Sequence, residues 1–286
     1  MQEILSIQSH VAYGYVGNRA AVFPLQRLGY DVTAINTVQF SNHTGYGEWT
    51  GHVHDYAMIS ELIAGVTKRN PLNNYSAILT GYMGDAVLGE IVLDLVTNVK
   101  QANPNAIYCC DPVIGDVGRG TFVRVGLPEF FRQHAIQQAD IITPNEYELA
   151  YLSGIEINSL KNLKIACDKL HGQGPGIILV TSVTVGMNDD EIGLLVSDGD
   201  NLWQVMTPRL PLEPAPNGAG DATAAIFLAK YLEHKNVEDA LEFTANAIYT
   251  IFSATHQAGT RELQLIASQE QFVQPDVDYD VYKLII

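Results

Sequence analysis

The chain has 286 residues, 47% of them hydrophobic, enough to bury one large core. Its 32 acidic side chains outnumber 16 Lys and Arg, and the formal net charge of −16 excludes the broad basic face that nucleic acid binding requires. No run of 18 apolar residues crosses a membrane, the N-terminus carries no basic leader, and Cys109, Cys110 and Cys167 make an odd count without metal spacing, so a cytoplasmic protein with buried, reduced thiols is expected.

Apolar runs and amphipathic runs alternate along the chain. Residues 3–9, 32–36, 77–80, 106–111, 140–144 and 177–182 read as buried strands. A first helix containing Pro24 follows the first strand, and the proline should kink or restart it. Further helical patterns cover 56–68, 87–101 and 160–171. The run 192–205 is different, because two strand-like halves flank SDGD and predict an antiparallel hairpin on a DG turn. Beyond Gly220 the chain reads as helical over 221–234, 237–255 and a short piece near 261–271. No Pro- or Ser-rich linker interrupts the alternation. The expectation is an α/β fold in one domain, residues 1–286, with a mostly parallel central sheet and helices on both faces: a three-layer αβα sandwich.

Parallel sheets place ligands beyond the carboxyl ends of their strands. The polar residues there are Ser9 and His10, Asn36 through Thr44, Thr80 to Tyr82, Asp111, Thr143 to Asn145, and Thr181 with Ser182, and they should gather on one rim. The stretch PNGAGDATAA (216–225) is the most specific signal. Glycines before a helix let its unpaired N–H groups approach an anion closely, so Gly218, Ala219 and Gly220 predict an anion cradle without a lysine. Asp221 falls at or near the N-cap and is either a cap or a base for an attacking hydroxyl; beside an anion cradle, the base is the better chemical fit. The P-loop and protein-kinase signatures are absent.

GAGD opening a C-terminal helix, PNEYE (144–148) and DPVIGD (111–116) together resemble the ribokinase-like superfamily of small-molecule kinases. Residues 7–29, 36–51 and the GYMGD at 81–85 resemble the pyridoxal kinases within it. The resemblance implies Asp221 as the base that activates the 5′-hydroxyl of pyridoxal, and Gly218, Ala219 and Gly220 as the hole for the migrating phosphoryl group. It implies that Ser9, His43 and Thr44 meet the pyridine edge, and that Val11, Val38, Phe40 and Tyr82 form the apolar walls. Asp111, Asp116 and Glu148, with Asn145, would arrange Mg²⁺ and the phosphates of ATP; Thr143, Thr181 and Ser182 would lie along the nucleotide. The loop 117–126 would sit near the phosphates, with Arg119 and Arg124 as local positive charge. A homodimer is implied as well, and the sequence leaves open whether a monovalent cation such as K⁺ assists. A hydroxymethylpyrimidine kinase and a low-activity pyridoxal 5′-phosphate binding or homeostasis protein are the alternatives.

Three departures from the family pattern stand out: Asn217 occupies a position that is often apolar, Thr181 stands where bacterial relatives often have a lysine and resembles the eukaryotic form, and MTPR (206–209) replaces the usual nucleotide segment. His52 and His54 read as a solvated strand edge, since no further ligands stand at a metal-binding spacing. Trp49 either covers the substrate pocket or packs in the core.

Overall fold

The computed structural model describes residues 2–286, and in it the apolar runs assemble into one ten-stranded sheet. Its strands are β1 (Glu3–Val11), β2 (Asp31–Phe40), β3 (Gly51–Val53), β4 (Tyr75–Thr80) and β5 (Ile107–Cys110), then, after the separate small hairpin of β6 (Gly115–Asp116) and β7 (Gly120–Thr121), β8 (Ile141–Ile142), β9 (Ile177–Val183), β10 (Glu191–Ser197), β11 (Leu202–Pro208) and β12 (Tyr282–Lys283). The order across the sheet is β12-β11-β10-β9-β8-β5-β4-β1-β2-β3. The strands from β9 through β2 are parallel, while β3 on one edge and β10, β11 and β12 on the other are antiparallel. The expected hairpin is present, with Ser197 paired to Leu202 at its turn.

The helices are α1 (Asn18–Arg27), α2 (Tyr56–Arg69), α3 (Ala86–Ala102), α4 (Leu127–Phe130) and α5 (Ile136–Gln138) joined by a π-helical turn, α6 (Glu146–Ser153), α7 (Leu160–His171), α8 (Ala219–His234), α9 (Val237–Gln257) and α10 (Gln269–Val273). The strand pleat sends alternate residues to opposite cores. Ile4, Leu79, Cys109 and Leu179 pack under α1, α8 and α9. Leu5, Ile78, Cys110 and Val180 pack against α3, α6 and α7. The adjacent cysteines thus lie on opposite faces of the sheet, both buried, and burial pushes the Cys110 thiol up to about 12. This is the three-layer αβα sandwich expected from the alternation.

Some boundaries differ from the pattern, for physical reasons. Strand β2 runs on to Phe40 because Val38 and Phe40 find ladder partners in β3. Helix α1 continues through Pro24, which neither ends nor restarts it; the buried Ala20, Ala21 and Leu25 hold that helix to the sheet. The 261–271 segment is helical only from Gln269, because Leu263 and Leu265 are fully buried and anchor an irregular chain instead.

The topology positions the site. The chain steps from β1 to β2 on one side and then crosses to β4 on the other, so the order reverses between β1 and β4. Such a switch opens a crevice at the carboxyl ends of the strands. Helix α8 then points its N-terminus at that crevice from the middle of one helical layer, anchored by the fully buried Phe227, whose ring stacks on Tyr231 at 6.3 Å. Replacing Phe227 with alanine should lower stability by about 3–5 kcal/mol, read from the shift of a guanidinium unfolding midpoint.

Candidate active site

The strand ends open into a cavity of about 450 Å³. It runs from the ends of β1, β2 and β4 past β5 and β8 to β9, β10 and β11. The residues assigned above to substrate, nucleotide, metal or phosphoryl transfer line this cavity, apart from Val38 and the loop residue Arg124. Val38 is fully buried behind the wall, in a cluster with Val11, Val16 and Phe40, and backs Phe40 from below. A second depression of about 880 Å³ lies at the amino ends of β5, β8 and β9, lined by Asp140, Trp203 and Lys235 among others. Although larger, it holds none of the predicted site residues and sits at the wrong end of the strands for an α/β ligand site.

The glycine–aspartate stretch resolves in detail. The N-cap of α8 is Gly218, with φ +83°, and not Asp221. Only glycine fits there, because a Cβ would lie 1.8 Å from the carbonyl oxygen of Tyr15. The backbone N–H groups of Ala219, Gly220 and Asp221 have no acceptor among the described residues, so the cradle is open. Asp221 stands one turn further in and does not cap the helix. Its Oδ2 accepts the Gly17 N–H at 2.8 Å, which leaves Oδ1 free. Burial raises its pKa, and the Gly17 bond only partly opposes this. The result is a fixed carboxylate, strengthened as a base, beside vacant amide donors at the positive end of a helix.

Two further acids stand close by. Asp111 ends β5; its Oδ1 accepts from Thr143 Oγ1 at 3.0 Å, and its Oδ2 lies toward Gly220. Burial, then the charges of Glu148 and Asp221, raise its pKa well above the ordinary range. Glu148 closes a capping box with Asn145 at the start of α6. Its Oε1 accepts from Ile114 N at 2.9 Å and Gly115 N at 3.3 Å, and its Oε2 from Asn145 N at 3.0 Å. Burial nevertheless pushes it up to about 7. Asn145 and Glu148 thus cap α6 and, through Ile114 and Gly115, tie the start of that helix to the β6 strand. Asp116 accepts its neighbour's N–H from Val117 and lines the cavity. No three His, Cys, Asp or Glu side chains converge on one point among the described residues.

At the β1–β2 end, Ser9, Phe40, His43, Thr44 and Tyr82 surround the cavity. His43 Nδ1 accepts the Gly45 N–H at 3.0 Å, so the neutral ring carries its proton on Nε2 as a donor. Burial, then Arg119 and Arg261, push its pKa down to about 4. Arg119 reaches this end of the cavity from the β6–β7 hairpin, and its guanidinium stacks over Phe122 at 5.1 Å. Trp49 does not line the cavity; it packs on the outer side of Phe40, ring centroids 4.3 Å apart, and stays partly exposed. His52 and His54 meet edge to face on the β3 edge, with no third ligand beside them among the described residues.

At the far end, Thr181 pairs with Asn145 across β8 and β9, and Ser182 adopts a left-handed φ of +53°. The wall there includes residues the sequence did not single out: Leu210, Leu212, Ile248, Tyr249 and Phe252. Thr207 to Arg209 of MTPR line the cavity at this end. Apolar residues on α9 beyond those packed in the core were the available signal: Tyr249 and Phe252 are partly exposed and face the cavity.

Neutral amides that hold an anion beside a carboxylate free of capping duty suit one kind of chemistry, the movement of a phosphoryl group onto an alcohol. Fold and site together define a small-molecule kinase. The phosphomethylpyrimidine kinase family model matches residues 26–265. A pyridoxal kinase PdxY of Rubrobacter xylanophilus is 51% identical over 283 residues, 98% of this chain and 97% of that protein. The Deinococcus radiodurans PdxY is 46% identical over 96% of this chain and 94% of its own length. Among solved structures, the pyridoxal kinase from Leishmania donovani in complex with ADP and pyridoxamine superposes with a TM-score of 0.92 at 29% identity, covering all of both chains. The chain belongs to the pyridoxal kinase family, with the ribokinase-like fold.

The acidic cluster makes a pH prediction. Asp111 and Glu148 both have raised pKa values in the folded chain, so the native state retains protons that the unfolded chain has released. The Glu148 contribution to stability is therefore fullest below about 4.5 and is lost as pH rises through about 7, and the Asp111 contribution falls with rising pH in the same direction. Asp111→Asn removes one of these charges. Relative to the parent, it should be stabilised more at pH 8 than at pH 5, measured by guanidinium denaturation at each pH.

Proposed function

We propose that this chain transfers the γ-phosphoryl group of ATP to the 5′-hydroxyl of pyridoxal, forming pyridoxal 5′-phosphate in vitamin B6 salvage. One observation carries the reading: the Asp221 carboxylate is held by Gly17 while the three amides that open α8 stay vacant next to it. The hydroxyl of the substrate gives its proton to Asp221 Oδ1 as its oxygen attacks phosphorus in line. The amides of Ala219 to Asp221 hold the equatorial oxygens, and ADP leaves toward Thr181 and Ser182. No phosphoenzyme is needed; positioning and fixed dipoles supply most of the rate.

The pyridine ring lies between Val11, Phe40 and Tyr82, with Ser9, Thr44 and the His43 Nε2–H at its polar edge. The adenine side is the apolar wall of Leu212, Ile248, Tyr249 and Phe252. Asp111 and Asp116 are the residues to hold Mg²⁺ through oxygen and water, and Glu148, saturated with backbone donors, acts from behind them. Their fit to a cation rests on geometry: Asp111 lines the cavity close to Glu148 and Asp221, whose negative charges oppose its own, and its Oδ2 lies toward Gly220. Bound there, Mg²⁺ neutralises phosphate charge that the protein's own acidic surface would repel. The reading extends to a homodimer acting in the cytoplasm; among the described residues no helix is long and apolar enough to cross a membrane.

The family model's name supports a second reading, hydroxymethylpyrimidine phosphorylation on the same machinery. ATP consumption with each alcohol separates the two: faster turnover of the pyrimidine would displace pyridoxal as substrate. Tight pyridoxal 5′-phosphate binding without turnover of either alcohol would identify a binding protein instead. Asp221→Ala should lower kcat on the order of 10²–10⁴-fold while pyridoxal and ADP binding persist, as followed by coupled assay and calorimetry. Near-parental turnover in that variant would remove Asp221 as base.

A further inference from the structure

Glu262 lies outside the cavity, in the irregular segment between α9 and α10, yet it touches both lips of the substrate end. Its Oε2 accepts the Tyr15 N–H at 2.9 Å and its Oε1 accepts the Tyr46 hydroxyl at 2.5 Å. Gly14 makes room for it: a Cβ there would lie 2.3 Å from Oε2. Its neighbour Arg261 donates to the Gly45 carbonyl at 3.0 Å and stacks over the Tyr46 ring at 4.3 Å. The segment that carries both residues is itself fixed, because Leu263 and Leu265 are fully buried in a cluster with Ile226, Ile248 and Ile251.

The two lips lead straight to reacting groups. In the first, the Tyr15 carbonyl abuts Gly218 at the mouth of the anion cradle, and Gly17, two residues on, donates to Asp221. In the second, the turn Thr44–Tyr46 is held at one end by Tyr46 and presents His43 and Thr44 to the cavity at the other. One carboxylate therefore joins the loop that orients the base to the turn that meets the substrate ring. Nothing comparable links Glu262 to the nucleotide end, where Thr181, Ser182 and Arg209 line the wall.

We infer that Glu262 is a positioning residue for the alcohol substrate, clamping the 13–17 loop and the 43–47 turn in register so that capture of the ring and orientation of Asp221 are set together. The inference rests on the kinase reading for its kinetic consequence, and on geometry alone for its consequence in binding. A charged acceptor serving two donors contributes more than a neutral one.

The test compares Glu262→Ala, Glu262→Gln and Tyr46→Phe in the full chain. Glu262→Ala should raise KM for pyridoxal about tenfold and lower kcat, with KM for ATP unchanged within about twofold. Glu262→Gln keeps the shape and one acceptor oxygen, and should recover most of that loss. Equilibrium binding of pyridoxal 5′-phosphate, followed by fluorescence, should weaken in parallel in Glu262→Ala, while ADP binding holds. That measurement stands even if pyridoxal is not turned over, so failure of the kinase reading and failure of this inference give different results. Equal losses at both substrates, or unchanged pyridoxal kinetics and binding, would overturn it. If Glu262→Ala does not fold, Tyr46→Phe decides alone: a selective rise in KM for pyridoxal supports the clamp, and an unaltered KM refutes it.

Discussion

The hydrogen bond from Gly17 N–H to the Asp221 carboxylate organises the rest of this molecule. It joins the start of α1 to the start of α8, two points 204 residues apart in the chain. It diverts Asp221 from the capping role its position suggests, which leaves the first amides of α8 without internal partners. The approach it needs is possible because Gly218 has no side chain to strike Tyr15. Cradle and base are thus two consequences of one close backbone contact.

A second constraint is electrostatic. A chain with net charge −16 that binds a polyanion must provide attraction locally. Here it comes from helix-terminal amides and from Arg119 carried on the β6–β7 hairpin, while the burial of several acids side by side carries an electrostatic cost. Asp111 and Glu148 pay that cost in the ligand-free protein as raised pKa values. His43 shows the opposite adjustment: desolvation and two arginines keep it neutral, so it serves as a hydrogen-bond donor rather than a charge.

Much of this was readable from residue order. Strand–helix alternation is written in hydrophobic periodicity, and a parallel sheet follows from it; the carboxyl-end rule then places Ser9, Tyr82, Asp111, Thr143 and Thr181 on one rim. The GAGD, PNEYE and DPVIGD motifs name the chemistry because glycine freedom and carboxylate placement are local properties. Val38 was misplaced because alternation tells which face of β2 a residue takes, while its depth depends on what packs over it, here Val11, Val16 and Phe40.

Long-range contact settled the remainder, since no local pattern encodes which distant group a side chain will meet. Gly218, not Asp221, caps α8, and the Asp221 carboxylate takes its position from Gly17, 204 residues away in the chain. Tyr249 and Phe252 of α9 line the cavity because the β10–β11 hairpin closes it on the opposite side. Glu262, in a segment without recognisable motif, gained its place from two loops that arrive from the other end of the chain. Periodicity and glycine chemistry operate over a few residues and survive in any reading of the sequence; the pairing of remote backbone donors with buried acids exists only once the sheet has closed the distance between them.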